Sequence, residues 1–303
     1  MQPLFNTFLH NDSKFHIFRL KPQKKLNNIN MSRIYNEMWE ETGEAIRNDY
    51  ATNETKKYFG KITVKVSENK INRKSFYTLT TKEELFENRE QKNKLCSELT
   101  AVLKILFEKY LVKEHSKILV VGLGNEKITA DSLGCRVSDK LTVTSHMYGN
   151  LGVRNRYGNL CTFKCGVSGT TGIESFDIVQ SAVKATKPDL IVAVDTLSCQ
   201  KSERLGCSLQ LTDNGIEPGG GINNPKRKLT EDSLNVPVIA IGVPFVIYVK
   251  TILAEHGITG VTDDTSSLLV TAKDIDFLIE DFSEVIAKAI NNTVHHYDPY
   301  VTV

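Results

Sequence analysis

The stretch Ile118-Leu119-Val120-Val121-Gly122-Leu123-Gly124-Asn125-Glu126-Lys127-Ile128-Thr129-Ala130-Asp131-Ser132-Leu133-Gly134 decides the fold. Its first four residues are all branched or aliphatic, too short a run for a helix and suited to a strand buried on both faces. The chain then leaves that strand through Gly-Leu-Gly and enters a helix near Asp131. A strand that ends in a glycine turn and feeds a helix is the opening unit of an open α/β sheet.

Working outward, the same alternation continues. Leu95, Leu99, Val102, Leu103, Leu106 and Phe107 fall three or four apart, forming one apolar helical stripe before the strand. After it, Leu141–Thr144 reads as a strand and Ile173–Val183 as a helix. Two further apolar runs read as central parallel strands: Leu190–Val194, closed by Asp195, and Val238–Val243, closed by Pro244. Ile275, Leu278, Ile279, Phe282, Ile286 and Ala289 keep the helical period to the end, with Thr271 as a cap. Before the first stripe, Ile62, Val64 and Val66 alternate with polar residues, and Phe76, Tyr77 and Leu79 follow after a polar gap, which predicts a hairpin. Residues 1–55 are polar and Asn-rich, with only a short helix suggested over Ile34–Ile46. The expected fold is therefore α/β: a doubly wound, mostly parallel sheet over residues 56–303, with a β-rich extension near 62–81 and a poorly defined N-terminal segment, 1–55.

Composition narrows the function classes. Charged residues make up 24% of the 303 residues and nearly cancel to +2, which argues against a dedicated nucleic-acid binder. The basic run Lys21–Lys25 reads as a solvated tail. No run of apolar residues is long enough to cross a membrane, and Met1–Asp12 lacks the features of a secretory signal. The cysteines Cys96, Cys135, Cys161, Cys165, Cys199 and Cys207 form no C-x-x-C pair, which suits reduced thiols in a cytoplasm.

In an open parallel sheet, reacting groups gather at the carboxyl ends of the strands. Two aspartates are expected there. Asp131, in the first turn of a helix, should be kept ionised by the helix dipole. Asp195, ending an apolar run, should have its pKa raised by a low-dielectric neighbourhood. Carboxyls pushed apart in this way make an acid/base pair able to activate water. Each also has a plainer reading, as a helix or turn cap. The Gly-x-Gly turn lacks the third glycine of a dinucleotide site, since position 127 is Lys, and no cofactor is expected. Gly169, Thr170 and Thr171, in a glycine-flanked loop, together with Asn125, could supply backbone donors to an oxyanion, or simply form a tight turn. The glycine-rich segment Asp213–Asn224 reads as the wall of a cleft or as a surface loop.

At these residues the sequence resembles the germination protease family of endospore-forming bacteria. The likeness rests on GLGNEKITADSLG, GVSGTTGIESFDIV, TKPDLIVAVDTLSCQKSER, DNGIEPGGGINNPKRKL, VPVIAIGVP and VTAKDIDFLIEDFSEVIAKAIN, in that order. The resemblance implies an atypical aspartic-type endopeptidase that degrades small acid-soluble spore proteins in the cytoplasm of the forespore or spore core. It implies a precursor that removes its own N-terminal segment, a homo-oligomer such as a tetramer, and Asp131 and Asp195 as the catalytic pair. It also implies a phosphorylase/hydrolase-like fold similar to that of hydrogenase-maturation proteases. In those relatives the acidic positions bind metal, which raises a metal-assisted version with Asp131, Asp195 and His146 as ligands. Glu203 and Arg204 match the family's Ser-x-Glu-Arg pattern and could orient Asp195 or form a surface pair. A catalytically silent, spore-protein-binding relative is the other alternative. Residues 1–60, the hairpin at Ile62–Thr81 and the region between Ile252 and Leu269 depart from the family pattern.

Overall fold

The computed structural model describes residues 15–18, 52–59, 62–69, 73–81, 88–219, 227–258, 265 and 268–295. The helix suggested over Ile34–Ile46 lies outside them. Among the described residues ten strands form one mixed sheet: β1 (Phe15–Phe18), β2 (Thr52–Phe59), β3 (Ile62–Asn69), β4 (Ser75–Thr81), β5 (Lys117–Gly122), β6 (Asn159–Lys164), β7 (Leu190–Cys199), β8 (Ser208–Thr212), β9 (Val238–Tyr248) and β10 (Leu269–Ala272). Their order is β2-β3-β4-β8-β9-β7-β5-β6, and β10 pairs with both β9 and β1.

β6, β5, β7 and β9 run parallel to one another; β8 pairs antiparallel with β9, and β4, β3 and β2 continue the sheet antiparallel, as do β10 and β1 beyond β9. The expected doubly wound, mostly parallel sheet is thus corrected to a mixed α/β sheet. The physical reason is β8, which returns antiparallel against β9 and lets the β3–β4 hairpin extend the same sheet. Its sequence, Ser-Leu-Gln-Leu-Thr, has too few apolar residues to be singled out, yet all five positions are buried.

Helices cover both faces. On one side lie α1 (Arg89–Lys109), α2 (Leu133–Asp139) and α5 (Ile275–Val294), packed on Ile118, Val120, Val192, Val194, Ile239 and Ile241. The alternate residues Leu119, Val121, Ile191 and Ala193 face α4 (Ser175–Thr186) through Phe176, Val179 and Val183. Strand side chains alternate between the two clusters, as a strand buried on both faces requires. Each fully buried aliphatic side chain contributes about 1.5–3 kcal/mol of transfer free energy, so β5, β7 and β9 together form a strongly held centre of the fold.

Several boundaries differ from the sequence reading. β7 does not stop at Asp195 but runs to Cys199, and β9 passes through Pro244 to Tyr248. Pro244 is tolerated because a β-bulge sits there: Leu197 pairs with Pro244 and Ser198 with Val246, leaving Phe245 as the extra residue. Leu141–Thr144 forms no strand; Thr144 instead lies against β6, giving its N–H to Leu160 O (3.0 Å). Thr271 does not cap α5. It is buried in β10, and its hydroxyl donates to Phe245 O (2.6 Å).

Candidate active site

β5 stops at Gly122, whereas β7, its neighbour, continues. From Asp195 onward β7 pairs with β9 alone among the strands, at the carboxyl end of β5. Asp195 is therefore inside a strand rather than at its end. It is buried, and its Oδ1 accepts the Thr196 N–H at 2.8 Å. Strand alternation gives its side chain to the α4 face, with Ala193 and Leu197.

Asp131 arrives from the other face. After Gly122 the chain makes one more strand-like bond, Leu123 N–H to Val194 O (2.9 Å), and turns at Gly124. Gly124 has φ +94°, and a Cβ there would lie 2.1 Å from Asp131 O, so only glycine fits. The chain then forms a 3-10 turn, Thr129–Asp131, and enters α2 at Leu133. The Asn125 N–H is shared between Asp131 O and Oδ2, both at 2.9 Å. The two acids are thus brought to the same end of the sheet, one from each face, with the path between them running around the end of β5.

The joint is tight. Gly134, in the first turn of α2, rests on the strand ends: a Cβ there would lie 2.3 Å from Val194 O and 2.5 Å from Leu123 N. This presses the start of α2 against the residue that precedes Asp195. Cys135 follows, buried, with Sγ 3.8 Å from Gly124 O. Its thiol is pushed up to about 11 by burial, and both Asp131 and Asp195 act on it electrostatically. Sequence reading did not single out Gly134 or Cys135; a glycine inside a helical pattern was the available sign.

Burial raises the pKa of Asp131 to about 7, and the Asn125 N–H opposes the shift. The expectation that Asp131 stays ionised is corrected: it precedes α2, a helix of seven residues, and desolvation outweighs the dipole.

The remaining expected residues fall as follows. The amides of Thr170 and Thr171 both donate to Val167 O, at 2.9 and 3.0 Å, within the short helix α3 (Ser168–Thr171). They are therefore engaged in the helical turn, and the amide of Asn125 is engaged by Asp131. Gly169 is exposed at the same rim. Arg204 is buried and Glu203 exposed in a 3-10 turn, Ser202–Arg204, beyond β7. His146 is exposed near the amino end of β6, since the neighbouring Thr144 bonds Leu160, so it lies far along the sheet from Asp131 and Asp195. Among the described residues no three His, Cys, Asp or Glu side chains gather as a metal site.

Two further features frame the rim. Lys164, the last residue of β6, pairs with Glu126 (3.2 Å) and Asp139 (2.8 Å), tying β6 to the loop before Asp131 and to the end of α2. The base of the glycine-rich segment is pinned: Ile216 pairs with Leu229, and Arg227 lies over the Phe176 ring and pairs with Asp177. Asp213, which opens that segment, is fully buried. It binds Lys109 Nζ (2.6 Å) and accepts from Ser75 N (2.7 Å) and Tyr110 OH (2.9 Å). No disulfide joins the six cysteines, and among the described residues no helix is long and apolar enough to cross a membrane.

The germination protease family profile matches residues 31–263. The germination protease of Caldanaerobacter subterraneus subsp. tengcongensis is 35% identical over 222 residues, covering 62% of this chain and 68% of that one. That of Bacillus velezensis is 29% identical over 276 residues, covering 68% and 75%. That of Bacillus subtilis is 36% identical over 173 residues, covering 55% and 47%. On the extent of the profile match and of these likenesses, the chain belongs to the germination protease family, a family of peptidases.

Proposed function

We propose that this protein is an endopeptidase that cleaves small acid-soluble spore proteins, with Asp131 and Asp195 activating water as an aspartic-type pair. The observation that carries the reading is that two carboxyls reach one end of the sheet, each accepting a backbone N–H, Asp131 from Asn125 and Asp195 from Thr196. Burial raises the pKa of Asp131 to about 7, so it can carry a proton at physiological pH. The base in this reading is Asp195.

The roles follow. A water at the end of β5 gives a proton to Asp195 as its oxygen bonds to the scissile carbonyl carbon. Asp131 gives its proton to the carbonyl oxygen, leaving a neutral gem-diol. As the C–N bond breaks, Asp195 gives the proton it took from water to the leaving nitrogen and Asp131 takes one hydroxyl proton from the diol, which becomes the carboxyl product; one water is consumed and the pair returns to its starting state. Because the two groups act together, their titration belongs to the pair.

The same reading places the working domain at residues 56–303, treats the segment 1–55 as a candidate propeptide, and puts a homo-oligomer in the cytoplasm of the spore-forming cell. No cofactor is required by the mechanism. The experiment is cleavage of a purified small acid-soluble spore protein by wild type, Asp131→Asn and Asp195→Asn, each checked for native folding. Both variants are expected to lose cleavage, about 10³-fold or more. Wild-type-like proteolysis by either rejects the pair. Stable association without fragments, for the wild type, identifies a binding protein instead.

A further inference from the structure

β6 is an edge strand whose outer side is only half used. It pairs with β5 alone among the described residues. The Cys165 N–H donates to Gly122 O on β5, so the odd-numbered residues point their backbone groups inward and Leu160, Thr162 and Lys164 point theirs outward. Leu160 is already satisfied from outside: its N–H donates to Thr144 Oγ1 (3.0 Å) and its C=O accepts the Thr144 N–H (3.0 Å). Beyond that point, no described group meets the N–H or C=O of Thr162 or Lys164. Thr162 and Phe163 are half-buried and Lys164 is exposed, so the edge is open to solvent.

We propose that the outer edge of β6, from Thr162 to Lys164, is a docking edge on which the protein substrate adds an extended segment as an extra strand. This rests on the peptidase reading above. Strand addition is a general mode of peptide recognition: main-chain bonds give affinity, and neighbouring side chains give preference. The occupant follows from two features. The open length is three residues, offering two N–H and two C=O groups, enough for a short peptide segment and too little for a stable interface between two copies of the chain. The edge is also continuous with the candidate active site, because Lys164 is tied to Glu126 and Asp139 around the loop that carries Asp131. Phe163, with Ile178 and Ala182, forms the partly buried apolar fringe of the α4 face, so the added strand's side chains on that face are expected to be apolar.

Strand spacing sets a distance rule. The added strand would lie one spacing outside β6, so the end of β5 is two spacings, about 10 Å, away, a width that about three residues of extended chain cross on leaving the added strand. Docking on β6 therefore engages substrate about three residues or more from the scissile bond, and peptides shorter than that on the docking side should lose it.

The test uses the full-length Asp195→Asn protein mixed with a purified small acid-soluble spore protein, read by amide hydrogen exchange. Slowed exchange at Thr162 and Lys164 in the complex is the expected result. A complex that forms while these two amides exchange as in the free protein overturns the proposal but leaves the peptidase reading standing. Failure to form any complex sinks the substrate assignment and the docking edge with it. A kinetic arm adds Thr162→Pro, which removes the outward N–H while the ladder to β5 runs through the odd-numbered residues. Its KM for the spore protein should rise about tenfold, the equivalent of one or two lost hydrogen bonds, with kcat held. Thr162→Val, which keeps the N–H and loses only the hydroxyl contact to Ser138 (3.1 Å), should restore the KM. Equal KM values for the proline variant and the wild type overturn the proposal. Should the proline chain not fold, the exchange experiment decides alone.

Discussion

Replacing Gly134 by alanine is the sharpest probe of how the two carboxyls are held. Alanine is the better helix former, and at an ordinary position in a helix the change would stabilise the protein by about 1 kcal/mol. Here the new methyl would sit 2.3 Å from Val194 O, 2.5 Å from Leu123 N and 2.6 Å from Leu123 O. All three are backbone atoms in the most buried part of the sheet, so no side chain can swing aside. The start of α2 must lift by about 1 Å to restore normal contact, and overpacking of this kind costs about 1–3 kcal/mol. Net destabilisation of about 0–2 kcal/mol is expected from the difference. The effect on catalysis should be larger, because a lift of α2 carries Asp131 away from Asp195, and a misplacement of about 1 Å can cost about 10²-fold in rate. The assay pairs urea unfolding with initial rates of spore-protein cleavage. A Gly134→Ala protein that is more stable than the wild type and cleaves at the wild-type rate would refute the tight joint between α2 and β7.

Two more outcomes follow from groups described above. The folded state keeps a proton on Asp131 up to about pH 7, whereas the unfolded chain releases it near the ordinary carboxyl value of 3.8; stability should therefore fall as pH rises between about 4 and 7 and level off above. Unfolding free energies measured across that window should show this slope in the wild type and a shallower one in Asp131→Asn, and identical slopes would contradict the burial of that carboxyl. Asp213→Ala removes one partner each from Lys109, Tyr110 and the Ser75 amide, and should cost about 3 kcal/mol in urea unfolding; a loss below about 1 kcal/mol would show that the group is dispensable to the base of the glycine-rich segment.

The parts of the fold that were legible in the sequence are those where burial alone sets the residue type. Ile118–Val121, Leu190–Val194 and the stripe of α5 are apolar because both faces of the strand, or one whole face of the helix, lie in the core. The β3–β4 hairpin was legible from its alternation and its polar gap. The misses have a common origin in polar residues that strands accept when neighbours satisfy their backbone. Asp195 read as the close of an apolar run, yet β7 continues through Thr196 and Ser198 because β9 pairs with it through a bulge. Pro244 read as a stop for the same reason. β8 was hidden by Ser208, Gln210 and Thr212, which are buried despite their polarity. At the candidate site, the end of the sheet that Asp131 reaches was legible, because a glycine turn after a strand leaves little choice of where the chain goes; the place of Asp195 inside β7 was not. The electrostatic assignment was not, because the dipole of a helix can be inferred from spacing, whereas the desolvation of Asp131 depends on how closely Gly124 and Gly134 let the backbone approach.

Gly134 resting on Val194 also has a dynamic consequence. A contact made by main-chain atoms inside the core has no rotamers to sample, so the hinge between α2 and β7 has no soft degree of freedom. The two acids should ride as one rigid body through thermal fluctuation, and any breathing that admits a polypeptide must come from the segments around them.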